Sequence, residues 1–113
     1  MHDLKWSPIE KRIARRAYEK ALERQLGAVI DQAKQRASRI SEPQDLWALE
    51  RWLTDQRQDI DQTFDYRYSV LPLVFALLFN RRLLTEDDLD GLAPEKIAEV
   101  KRAAKVLSEL AHE

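Results

Sequence analysis

Cysteine is absent from all 113 residues, which excludes disulfide frameworks, thiolate nucleophiles and thiolate metal sites together and makes the cytoplasm the expected compartment. Glycine is nearly absent as well, with Gly27 and Gly91 the only two. The chain is nonetheless 35% charged, against roughly 25% in an average globular protein. Much polar surface with few turn formers calls for long helices. Charge of a single sign is missing too: 19 Lys and Arg stand against 20 Asp and Glu, with a pI near 6.1. That balance leaves no footprint for phosphate backbones, so nucleic acid is not an expected partner. The longest apolar run, Val70 to Phe79, is about half the roughly 20 residues a membrane-spanning helix needs, so it is expected inside the protein, with no membrane insertion. Met1 to Ser7 lacks the apolar centre of an export signal.

Catalytic equipment is equally sparse. His2 and His112 sit at opposite ends of the chain, where neither is held against a nucleophile or metal with useful precision. There is no glycine-rich phosphate loop and no plausible triad, so no enzyme, no cofactor and no metal are expected. Asp55 with Asp59, and Asp61 with Asp65, have helical i, i+4 spacing, but solvated faces explain them better than a cation site. Asp88-Leu89-Asp90-Gly91 looks superficially like a calcium loop; its glycine comes too early and no glutamate stands at the twelfth position. Lys11, Arg12, Arg15, Arg16, Lys20 and Arg24 are interleaved with Glu10, Glu19 and Glu23, the pattern of a mixed solvated face.

What the chain does contain is helix punctuation. Ser7-Pro8-Ile9-Glu10 is a capping box with proline at the first helical position. From there Ile9, Ile13, Ala17, Leu22, Leu26, Val29, Ala33, Ala37 and Ile40 recur at three- to five-residue steps, predicting one helix of about thirty residues running through Gly27. Ser41-Glu42-Pro43-Gln44 predicts a second cap, and Leu46, Leu49, Leu53, Ile60 and Phe64 an apolar stripe on a second helix ending near residue 64. The run around Pro72 predicts a buried third helix. Thr85 caps a short helix that Gly91 ends, and Pro94 opens a last one carrying Ile97, Val100, Ala104 and Leu107.

The expected fold is all-α in one domain, residues 1–113, with long helices and dimerisation in 8–64 and a small helical head in 65–113. A helix of about thirty residues is roughly 45 Å long, whereas a compact domain of this size is roughly 35 Å across, so the first helix overhangs its own domain. An apolar stripe along that overhang predicts a homodimer, with Leu22, Leu26, Val29 and Ala33 in the seam. With Leu46, Leu49 and Leu53 facing the core, Trp47 and Arg51 share a flank about 100° away. Trp and Arg beside an apolar seam suit a protein interface; an indole covering the edge of the domain is the alternative.

Asp45-Leu46-Trp47, Leu53, Arg57, Ile60-Asp61, the Asp-x-Arg-x-Ser-Val of Asp65 to Val70, and Val74-Phe75-Ala76 resemble the fluorescence recovery protein family of cyanobacteria in one register over about forty residues. The resemblance implies a cytoplasmic helical homodimer that catalyses no chemistry. Such a protein would bind the photoactivated orange carotenoid protein or a related carotenoid-binding protein, promote its detachment from the phycobilisome and accelerate its return to the resting orange form. Trp47 and Arg57 match the family's tryptophan and arginine of the dimer and partner-binding region. Glu50 and Arg51 stand where the family has His-Asp, and Leu73 where it has a functional phenylalanine. These departures keep open an alternative: a dimeric helical binding module with a different, non-photosynthetic client.

Overall fold

A serine and a glutamate three residues apart start the first helix by exchanging hydrogen bonds. In the computed structural model, which describes residues 5–111, the Glu10 N–H donates to Ser7 Oγ and the Ser7 N–H donates to Glu10 Oε1, both at 3.1 Å. His2 and His112 lie outside the described residues. Helix α1 (Pro8–Ser38) then runs unbroken for 31 residues, about 46 Å at 1.5 Å per residue. Gly27 passes through it with nothing within 4 Å of where a Cβ would stand. Gly27→Ala is therefore expected to stabilise the protein by about 0.5–1 kcal/mol, raising the melting temperature in a calorimetric scan; a lower one would mean that a second chain packs against this position.

Only the first half of α1 is buried in the core. Ile13, Ala14, Ala17 and Ala21 are at most 7% exposed, and no α1 residue beyond Ala21 is buried. The single stripe expected from sequence is in fact two. The five-residue step from Ala17 to Leu22 turns the pattern by roughly 140° at 100° per residue, so Leu22, Leu26, Val29 and Ala33 face elsewhere. Ile9 also leaves the stripe, at 62% exposed.

The second half of α1 is met by α2 (Pro43–Thr63), which doubles back after a connection of residues 39–42. Its cap differs from the Ser41–Gln44 pairing expected: Pro43 occupies N1, which makes Glu42 the N-cap, and Asp45 accepts from the Ser41 and Glu42 N–H groups at 3.1 Å each. The Tyr18 hydroxyl donates to the Phe64 carbonyl at 2.9 Å, pinning the far end of α2 to the first half of α1. From there the chain crosses α1 as an aromatic ladder, Phe64–Tyr18–Tyr66–Tyr68–Trp6, with successive centroids 4.9–5.6 Å apart. The Arg15 guanidinium sits 3.9 Å from the Tyr66 ring centre, within cation–π range.

Helix α3 (Leu71–Asn80) is apolar nearly all round because most of it is covered: Leu71, Phe75, Ala76 and Leu78 have no exposure, while Leu73 stands exposed. α1 lies on one flank and α4 (Pro94–Ala111) on another, with Leu84, Leu89 and Leu92 of the intervening segment closing the rest. The short helix expected after Thr85 is a single 3₁₀ turn, Asp87–Leu89, because Gly91 at φ 100° and Pro94 follow too closely for a longer one. Within it Asp88 reaches back to accept from the Thr85 N–H at 2.9 Å, and also receives Arg24 of α1 at 2.8 Å. α3 ends in a Schellman motif: the Leu83 N–H reaches the Leu78 carbonyl at 2.9 Å and the Arg82 N–H the Phe79 carbonyl at 3.0 Å. The left-handed position, φ 61°, is filled by Arg82, a residue that pays on the order of 1 kcal/mol there relative to glycine.

The outcome is a helical head with a protruding hairpin. The extents are 53 × 33 × 21 Å and the radius of gyration is 16.8 Å, well above the roughly 13 Å of a compact chain of this length.

Candidate protein-binding surface

The hairpin has an inner seam and an uncovered face. Along α2, Leu49, Trp52, Gln56 and Ile60 are half-buried, and they match the half-buried Leu22, Gln25, Val29 and Ala33 of α1. The Arg36 guanidinium stacks 4.4 Å from the Trp52 ring centre and clasps the free end of the hairpin. Thr63 is the one residue of α2 that reaches full burial. Outside this seam stand Leu26 at 42%, Ile30 at 53%, Leu46 at 49% and Leu53 at 40% exposed. Helical phase turns all four roughly 60–110° off the seam, in the sense that two antiparallel helices share, so they lie on one side of the hairpin. A contiguous apolar face of this kind is unusual on a monomer and marks an interaction surface.

Two sequence expectations need correction here. Leu46 and Leu53 do not face the core; they are exposed because α2 has too little of the chain around it to cover more than one flank. The first-helix stripe is also shared: Leu22, Val29 and Ala33 turn toward the hairpin's own seam, whereas Leu26 turns outward. Ile30 of α1 and Trp52 of α2 escaped the sequence reading. Ile30 stands four residues after Leu26, a spacing that places it on the same face. Trp52 gave no signal separable from Trp47.

Trp47 is 58% exposed near the start of α2. Glu50, one turn on, accepts from the Thr54 hydroxyl at 2.9 Å. Arg51 and Arg57 are exposed and, among the described residues, enter no ion pair. By helical phase Arg57 and Glu50 border the Leu46–Leu53 strip, Trp47 lies further round, and Arg51 points nearly opposite. Leu73, 48% exposed, belongs to α3 in the head. About 24 Å of helix separates Trp47 from the point where α2 gives way to the head, so the fold does not join Leu73 to the Trp47 cluster within one chain.

The remaining charged groups serve the architecture. Asp59 and Asp65, read from sequence as parts of solvated faces, pair with Arg81 and Arg67. Glu10 is buried, and its carboxylate accepts from the Ala93 N–H at 2.9 Å and from Lys96 Nζ at 3.0 Å. The Ala93 amide first, and then the Ser7 amide and Lys96, hold its pKa at about 2, against the opposing effect of burial. Arg24, helped by Thr85, holds Asp88 at about 2 as well. Among the described residues no group of His, Asp or Glu is placed to hold a metal ion. The depression lined by Arg16, Ala17, Lys20, Asp87 and Asp88 is open and about 160 Å³, below the roughly 300 Å³ at which small-molecule sites begin. No helix among the described residues is long and apolar enough to cross a membrane.

Fold and surface together define an elongated all-α protein whose distinguishing feature is a broad apolar face and not a cleft. The family model described as photoprotection regulator fluorescence recovery protein matches residues 6–104. The fluorescence recovery protein of Synechocystis sp. PCC 6803 is 34% identical over 101 residues, spanning 89% of this chain and 93% of that protein. The solved structure of the Fremyella diplosiphon fluorescence recovery protein superposes with a TM-score of 0.85 at 38% identity, and that of the Synechocystis protein with 0.85 at 34%. Each superposition covers 89% of this chain and 99% of the other. The chain belongs to the fluorescence recovery protein family of photoprotection regulators.

Proposed function

We propose that this protein is a cytoplasmic, non-enzymatic homodimer that binds the photoactivated orange carotenoid protein, promotes its detachment from the phycobilisome and speeds its return to the resting orange form. The observation that carries this reading is a bare apolar face on the hairpin of a chain in this family. A twofold copy is the simplest cover for such a face, since the same residues then appear on both sides of the contact. In this reading residues 1–113 act as one unit, with 8–64 carrying self-association and 65–113 forming the head. Trp47, Glu50, Arg51 and Arg57 on α2, and Leu73 on the head, are contacts offered to the client or the twofold copy; Leu26 belongs to the dimer seam, which Leu22, Val29 and Ala33 support from within the hairpin.

Accelerating a relaxation requires more than affinity. The protein must hold the transition region, or the compact form, better than the open form, because equal binding to both shifts nothing. The test is the dark recovery of photoactivated orange carotenoid protein, followed by absorbance with and without this chain. Recovery is expected to be several-fold faster at equimolar chain. An unchanged rate, with the dimer intact by light scattering, would reject this client. One observation favours the second reading, a different client: Arg51 is exposed and unpaired among the described residues where the resembled family carries an acid. Reversal of a charge at a desolvated contact is enough to remove micromolar binding.

A further inference from the structure

The Schellman turn that ends α3 fixes the most strained residue described in the chain, and that residue is a cation with nothing to hold. Arg82 is the one described non-glycine residue with positive φ. Its backbone is held by its own N–H on the Phe79 carbonyl and by the next residue's, Leu83 N–H on the Leu78 carbonyl, with Leu78 and Leu84 buried at 0% and 2% exposure. The direction of its Cα–Cβ bond is therefore set by the fold. Glycine would fill this position with less strain.

Nothing within the described chain compensates for the arginine. Arg24 and Arg81 in the same region are both spent on bidentate pairs, with Asp88 and Asp59. Arg82 is exposed and takes part in no hydrogen bond, ion pair or aromatic stack among the described residues. A cation at a helix C-terminus does favour the helix dipole, but Arg81 already supplies one a residue earlier without adopting a left-handed backbone. Asp59, the partner of Arg81, belongs to α2 yet lies by helical phase on the side of the hairpin away from Leu46 and Leu53. The Arg81–Asp59 pair, the neighbour of Arg82 in the chain, thus lies off the face proposed for self-association.

We propose that Arg82 is a partner-contact residue: its guanidinium, projected from a strained and rigid turn, engages a carboxylate on an acidic patch of the client protein. The planar fork matches carboxylate geometry with two parallel hydrogen bonds, which lysine cannot reproduce. This assignment rests on the regulator reading above, and it adds a second contact in the head, beside Leu73, to those expected on α2.

The experiment compares Arg82→Gly, Arg82→Lys and the unmodified chain in two measurements: the melting temperature alone, and the acceleration of dark recovery of photoactivated orange carotenoid protein at two salt concentrations. Arg82→Gly is expected to melt about 4 °C higher while its concentration for half-maximal acceleration rises about tenfold. That loss should shrink at high salt, where an ion pair contributes less. Arg82→Lys should fall between the two. Acceleration by Arg82→Gly equal to that of the unmodified chain would overturn the assignment and leave a merely strained turn. If the unmodified chain fails to accelerate recovery, the regulator reading falls and this contact falls with it. Steep salt-dependent binding of the unmodified chain to duplex DNA, lost in Arg82→Gly, would assign the guanidinium to phosphate and overturn it as well.

Discussion

Glu10→Gln is expected to lower the unfolding free energy by about 3–5 kcal/mol, because it strands the Lys96 ammonium in a site where that side chain is only 6% exposed. One carboxylate here serves two helices. It accepts from Ser7 to complete the cap of α1, and from Ala93 at the start of α4, so it sits beside two positive helix ends at once. Glutamine retains an oxygen for one amide but not the charge. Replacing both partners, as Glu10→Gln with Lys96→Met, should recover much of the loss, since no uncompensated charge then remains. Urea unfolding followed by circular dichroism measures both. A midpoint for Glu10→Gln equal to that of the unmodified protein would sink the argument. The same pair sets the acid limit of the fold. Glu10 titrates near 2 in the folded state against 4.5 for an unperturbed carboxyl, and Asp88 near 2 against 3.8. Both pKa values are depressed, so both groups contribute stability that is fully present above about pH 4.5. That stability is lost as pH falls toward 2, on the order of 3 kcal/mol for Glu10 and 2 kcal/mol for Asp88.

The local punctuation of the fold was legible in the sequence, while its tertiary use was not. Ser7 with Glu10, Pro43, Pro94 and Gly91 each act through neighbours within four residues, so the helix limits they set follow from the sequence to within a few positions. The overhang of α1 was legible for a similar reason, because length scales with residue count alone. The rotation of its apolar stripe at the Ala17–Leu22 step was present in the spacing but takes on meaning only once two different partners, the head core and α2, are seen on the two faces. Lys96 lies outside the apolar set read for the last helix, Ile97, Val100, Ala104 and Leu107. Nothing local announces that its ammonium reaches back 86 residues to Glu10. The same limit applies to the surface. Trp47 and Arg51 were recognisable as residue types suited to an interface, but which leucines are bare depends on how much of the chain folds over α2. That is a property of the whole packing, so Leu46 and Leu53 could be assigned to a core they never enter.

In the homodimer proposed above, Leu26→Glu and Leu46→Glu are each expected to give a folded monomer at micromolar concentration. Both leucines are already more than two-fifths exposed in the single chain, so a carboxylate at either place stays hydrated in the monomer and costs little there. In a twofold assembly the same substitution enters the interface twice, and each copy leaves an unpaired charge facing apolar surface. About 2 kcal/mol per site, doubled by symmetry, weakens self-association on the order of a thousandfold. Val29→Glu separates this effect from damage to the hairpin itself. Val29 is half-buried in the seam between α1 and α2, so its substitution should lower the melting temperature as well as the assembled mass, whereas Leu26→Glu and Leu46→Glu should change only the mass. Light scattering coupled to size exclusion reads the mass, and calorimetry reads the melting temperature. A dimer that survives Leu26→Glu and Leu46→Glu together would place self-association elsewhere on the chain. The apolar hairpin face would then belong to the client alone, and Trp47 and Arg57 would border the client's contact and not a twofold seam.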